Sequence, residues 1–300
     1  LKADAGTSTT ASGSPISLWS DQSGNGIDVS QSTVIQQPLF QNNIINGFPA
    51  VQFDNDMISG QNDKLLGSDS PLLDNTSGYS FFTVTRPQNF GTNAILSKRI
   101  GISDQQSFMF FFWSGNNAYI DIESVNNRAS TTTSFSANNN YLLDVIYDGS
   151  LPTASRTKIY VGELLNRVAS ESNSLVPDNA SPLIIGSTDA SDSRPFGGYI
   201  AETIIFREAL NKASRIIVNN YLSSKYNISL GANDFYAGDT PGNGNYDHQV
   251  AGIGTDTIMP GTVTGSNTSF SPSASGGLGI TMVSGFDYGD YVLAGHGTPV

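Results

Sequence analysis

Three short stretches of the sequence place chemically useful side chains close together. In WSDQSGNG, residues 19–26, Asp21, Ser23 and Asn25 alternate ahead of Gly26. Side chains at alternate loop positions converge their oxygens on one point and a glycine allows the sharp bend, which is the first half of a calcium loop. Of those three only Asp21 is a carboxylate, so calcium would need Asp28 or a more distant acid as well. The expected metal set is Asp21, Ser23, Asn25 and Asp28, with calcium as the cofactor. The same pattern closes an Asx turn, with Asp21 and Asn25 bonding their own backbone, and the shortage of charge favours that turn.

The second stretch, GNGNYDHQVAGIG at 242–254, gathers Asn245, Asp247 and His248 among glycines. It would hold an ion or a glycan hydroxyl, or else form a tight hairpin, since Asn-Gly is a strong hairpin maker. The third is Trp113, which ends the run SFMFFFW at 107–113. An indole at a strand end can stack on the C–H face of a pyranose, whereas an indole pointing inward is core. Trp113, Asn245, Asp247 and His248 are therefore the candidate ligand-binding residues.

Catalytic sets are not visible. His248 and His296 are far apart in sequence and fit no zinc-ligand spacing, and no G-x-S-x-G elbow accompanies them. Asp121 and Glu123 share a strand face by their spacing, but on the alternating run YIDIES that face reads as solvated. The expectation is a protein that is not an enzyme.

The elements that must position these residues are mostly strands. Short β-rich runs bounded by Gly, Asn, Asp and Pro fall at 50–53, 79–86, 94–97, 107–113, 118–124, 141–147, 157–161, 183–185 and 199–206. SFMFFFW is apolar almost throughout, as befits a strand covered on both faces. One helix is expected at 209–226, with Leu210, Ala213, Ile217 and Tyr221 on one stripe and Asn211 as its cap. Patches 7–14 and 129–140 read as exposed loops, and further strands are expected at 279–283 and 291–294. This predicts an all-β chain, an antiparallel two-sheet jelly-roll sandwich at 1–231 that includes the amphipathic helix. A small β-rich extension, read as incomplete, follows at 232–300.

Composition narrows the partners. A net charge of -12 with Lys plus Arg at 14 opposes a nucleic-acid partner, which needs a basic face. There is no cysteine for a disulfide or a thiolate, and no run of about 18 apolar residues for membrane insertion. The chain also reads as a segment of a longer protein.

The strings WSDQSGNG, NGFPAVQFDN (46–55), SFFTVTRP (80–87), ILSKR (95–99) and GGYIAETIIFREAL (197–210) resemble, in order and spacing, the laminin G-like, concanavalin A-like jelly-roll domains of large bacterial surface proteins. The resemblance covers residues 1 to about 230. The strings YLSSKYNISL, YDHQVAGIG and GDYVLAGH resemble an uncharacterised β-rich module that follows such domains. The resemblance implies a secreted or cell-surface, non-catalytic binding or adhesion module for a glycan or surface protein, sometimes with calcium. A structural spacer that self-associates within a surface fibre is the alternative, with a polysaccharide-active enzyme as the less favoured third reading. Many relatives carry an acid where this chain has Ala201, next to Glu202, which removes one ligand from the superfamily's convex-side calcium site.

Overall fold

In the computed structural model of the chain, residues 1–55, 58, 60–91, 93–99, 106–122, 128–190, 194–244, 246–255, 264–267 and 289–297 are described. The chain folds as two compact units, Leu1–Ala209 and Leu210–Val300.

The first unit is a sandwich of two antiparallel sheets. Among the described residues, one sheet has eight strands in the order β1 (Leu18–Trp19), β2 (Val29–Ser30), β5 (Leu65–Gly67), β14 (Leu183–Ile185), β7 (Asn93–Arg99), β8 (Gln106–Trp113), β9 (Asn117–Asp121) and β10 (Ala129–Ser130). The other has seven, in the order β13 (Leu164–Ala169), β12 (Thr157–Val161), β11 (Tyr141–Asp148), β6 (Gly78–Pro87), β15 (Gly198–Phe206), β4 (Phe48–Phe53) and β3 (Leu39–Ile45). Each strand expected between residues 48 and 206 is present.

Aromatic side chains from the two inner faces fill the space between the sheets. Phe81 of β6 meets Phe108 of β8 with ring centroids 5.1 Å apart, and Tyr79 meets the same ring at 5.4 Å. Phe112 packs on Phe135 and Phe196, and Phe196 in turn on Phe53. Each such pair adds about 0.5–1.5 kcal/mol beyond its burial. The patch 129–140, expected as an exposed loop, instead contains β10 and the buried Phe135, because the ring of Phe135 completes this core.

In the second unit, α1 (Lys212–Tyr226) begins at Asn211, whose side chain accepts from the Ser214 N–H at 2.9 Å, and ends at Asn227 in the left-handed region. Among the described residues a three-stranded sheet follows in the order β17 (Thr264–Asn267), β16 (His248–Gly254), β18 (Tyr291–His296). The helix packs on β16 and β17 and is grouped with them, where the sequence had grouped it with the sandwich. It is buried continuously from Ala213 to Tyr226, more fully than a single apolar stripe predicts. The strand expected at 279–283 lies outside the described residues, and that at 291–294 is β18.

Phe110 of β8 is wholly buried in the inter-sheet core. Phe110→Ala should therefore cost about 3–5 kcal/mol in chemical denaturation, and an unchanged midpoint would contradict the placement of β8.

Candidate functional site

Period-two alternation in β8 sends Phe108, Phe110 and Phe112 into the inter-sheet core and Met109 and Phe111 to the outer face of the eight-stranded sheet. Met109, Phe111 and Ala94 form a second buried cluster there, against which Tyr119 packs. This bears out the reading of SFMFFFW as a strand covered on both faces. Trp113 is the next residue in the outer row and is 39% exposed. The sheet thus ends in an indole standing on a buried aromatic base, since Tyr119 stacks on Phe111 at 5.4 Å and meets Trp113 edge-on at 5.5 Å.

A charged pair braces this row. The Arg128 guanidinium lies over the Trp113 ring at 4.7 Å and over Phe111 at 5.6 Å, each cation–π contact contributing about 0.5–2 kcal/mol. Its Nε donates to Asp121 Oδ2 at 3.2 Å. Asp121, expected on a solvated face, has a side chain that is 0% exposed. The reason is the hairpin: β9 and β10 register Ala129 against Ile120, and one step further Arg128 comes alongside Asp121 and covers it. Glu123, its expected partner, lies outside the described residues. Neither Arg128 nor Tyr119 was singled out from the sequence, although the seven-residue separation of Asp121 and Arg128 across a hairpin was a usable signal.

Polar groups rim the indole. Ser114 and Asn116 are exposed in a tight turn where Gly115 has φ 70 and Asn116 φ 57. The turn is held by Tyr119 OH donating to Ser114 O at 3.2 Å and by Asn117 Nδ2 donating to Thr131 O at 2.9 Å. Ser134 Oγ donates to Asn117 Oδ1 at 3.0 Å. The arrangement can present a fixed aromatic face beside hydroxyl and amide groups.

The other expected sets are placed differently. In the 21–28 loop, Asp21 Oδ1 accepts from the Ser23 N–H at 2.9 Å, and Oδ2 accepts from Ser23 Oγ at 2.7 Å and the Ile27 N–H at 3.2 Å. Asn25 donates its side-chain amide to Ser23 Oγ, and Asp28 Oδ1 accepts the Asp21 N–H at 2.7 Å. The four residues therefore come together, in an Asx turn whose carboxylates serve backbone donors. Burial works to raise the Asp21 carboxyl, but the hydrogen bonds from Ser23 and Ile27 outweigh it and hold it below its usual value. In the second stretch, Asp247 and His248 are neighbours, with Oδ1 to Nε2 at 3.6 Å, and Asn245 lies outside the described residues.

The family model for the concanavalin A-like lectin/glucanases superfamily matches residues 59–214, about half of the chain. Comparison with curated protein sequences gives no match. Among solved structures, one from Bacteroides ovatus is 16% identical with a TM-score of 0.42, over 54% of this chain and 44% of that one. The Ruminococcus gnavus IT-sialidase CBM40 bound to α2,3 sialyllactose is 10% identical, with a TM-score of 0.41, over 47% of this chain and 80% of that one. Domain 4 of AbnA, a GH43 extracellular arabinanase from Geobacillus stearothermophilus, in complex with arabinotriose, is 15% identical with a TM-score of 0.44, over 67% and 96%. Each is a distant likeness.

Two outcomes follow from this geometry. Arg128→Ala leaves a buried carboxylate beneath the aromatic row and should cost about 3 kcal/mol of stability; an unfolding midpoint equal to wild type would show that the pair bears no weight. Because the Asp21 carboxyl is held low in the folded state, its stabilisation is present above the ordinary carboxylate range and is lost as pH falls through the depressed value. Asp21→Asn should therefore be less stable than wild type at pH 7 by about 1 kcal/mol, with the gap closing as pH falls through the depressed value. A pH-independent gap would refute that assignment.

Proposed function

Since the chain belongs to the concanavalin A-like lectin/glucanase superfamily, we propose that it is a non-catalytic carbohydrate-binding module working outside the cell. The observation that carries this reading is Trp113: a large aromatic face, 39% exposed, that is immobilised by Tyr119 and Arg128 rather than buried. A rigid aromatic loses little conformational entropy when a sugar stacks on it, and the exposed Ser114 and Asn116 beside it suit hydroxyl groups.

The site favours an uncharged glycan. The guanidinium at the indole is already neutralised by Asp121, and the net charge of -12 repels polyanions at a distance. Asp121 is committed to that pair, which supports binding rather than acid–base chemistry at this face. Among the described residues no helix is long and apolar enough to cross a membrane.

An array of neutral and acidic glycans, run with and without calcium, tests the proposal. Neutral glycans should be retained by the wild type in both conditions, and Trp113→Ala should weaken that binding at least ten-fold while staying cooperatively folded, its stability lower by about the 0.5–2 kcal/mol of the lost cation–π contact. Failure to bind any glycan, or full binding by the Trp113 variant, would refute it.

A further inference from the structure

The chain has only two histidines and no cysteine. Although the two imidazoles are far apart in sequence, the fold makes them direct cross-strand partners. His248 opens β16, His296 closes β18, and the two stand opposite each other in the antiparallel register. Their ring centroids are 6.4 Å apart, with planes inclined at 37°. The three-stranded sheet had many positions at which to place its histidines, and it places both at one.

Oxygen donors flank the pair. Asp247 Oδ1 lies 3.6 Å from His248 Nε2, and Gln249 Oε1 lies 2.6 Å from His296 Nε2. Strict alternation would send the side chain next to His248 to the opposite face of the sheet. The register instead shifts between His248 and Ala251, with Gln249 at φ 50, and this bulge brings the Gln249 amide onto the histidine side.

We propose that His248 and His296 clamp a first-row transition dication between β16 and β18, with Gln249 Oε1 and Asp247 as the oxygen donors. Imidazole is the characteristic ligand of copper(II), nickel(II) and zinc(II), and copper(II) stands highest in affinity for such donors. Each nitrogen binds its ion at about 2.0–2.1 Å, so the rings must close slightly from their 6.4 Å separation. Among the described residues no three His, Asp or Glu side chains already converge as a metal group. The site is thus a two-imidazole clamp that Asp247 completes by rotating inward. Bound metal would tie β16, the middle strand of this sheet, to its neighbour β18 and stabilise the second unit by mass action.

The test uses the full chain, titrated with copper(II) by calorimetry and examined by electron paramagnetic resonance, with thermal unfolding in zinc(II) as a second readout. The wild type should bind one equivalent of copper(II), show hyperfine coupling to two imidazole nitrogens, and unfold at higher temperature in zinc(II). His248→Asn and His296→Asn should each lower the affinity at least ten-fold and abolish the two-nitrogen signature. Gln249→Glu, which keeps both imidazoles and exchanges an amide oxygen for a carboxylate, should tighten binding, so ligand loss is separable from misfolding. A two-nitrogen signature that survives either histidine variant, or binding that Gln249→Glu leaves unchanged or weakens, would overturn the proposal.

Discussion

Strand β8 is the constraint on which the sandwich and its candidate site both depend, because it must bury side chains on its two faces at once. Phe108, Phe110 and Phe112 belong to the inter-sheet core, while Met109 and Phe111 belong to the cluster on the other side. A slip of one residue would exchange these sets. The exchange would carry Trp113 from the outer row to the inner one and remove the platform. Register is therefore fixed twice over, and the exposed indole inherits its position from the buried residues before it.

The outer face also shows how a polar component is admitted to an apolar layer. A lone buried carboxylate at Asp121 would cost several kcal/mol, yet here it faces a guanidinium whose flat surface covers Phe111 and Trp113. Arginine suits this place better than lysine, since its planar cation can stack on the rings and donate to the carboxylate together. The result is a neutral, stiff base under a half-open indole. This brace, rather than the sheet alone, keeps Trp113 from folding onto the surface or into the core.

Much of the sandwich was legible because its central strands are long and strongly patterned. TVTRP and its neighbours in β6, and IAETIIF in β15, announce themselves by β-branched and aromatic residues. The strands that escaped notice are those with too few residues to show a period, such as β1, β2 and β10 at two residues each. Others are broken by a bulge, as in β3, where the register shifts between Gln41 and Ile45 and Asn43 has φ 56. At the site, Trp113 was readable as a residue type and Asp121 as a strand position. The brace was not, since a cation–π contact leaves no periodic trace and Arg128 acts through a hairpin whose register is a tertiary fact. The histidines make the same point: their meeting is set by the pairing of β16 with β18, which local spacing does not encode.

In the proposed function the exposed face of Trp113 is the surface that meets the glycan. Tryptophan fluorescence reads it directly, because the chain has two tryptophans and Trp19 is wholly buried, supplying a constant background. In a titration with soluble neutral oligosaccharides, the emission of Trp113 should change in intensity and wavelength and saturate with the same midpoint as the heat of binding. Heat of binding accompanied by unchanged emission would place the glycan elsewhere and contradict it.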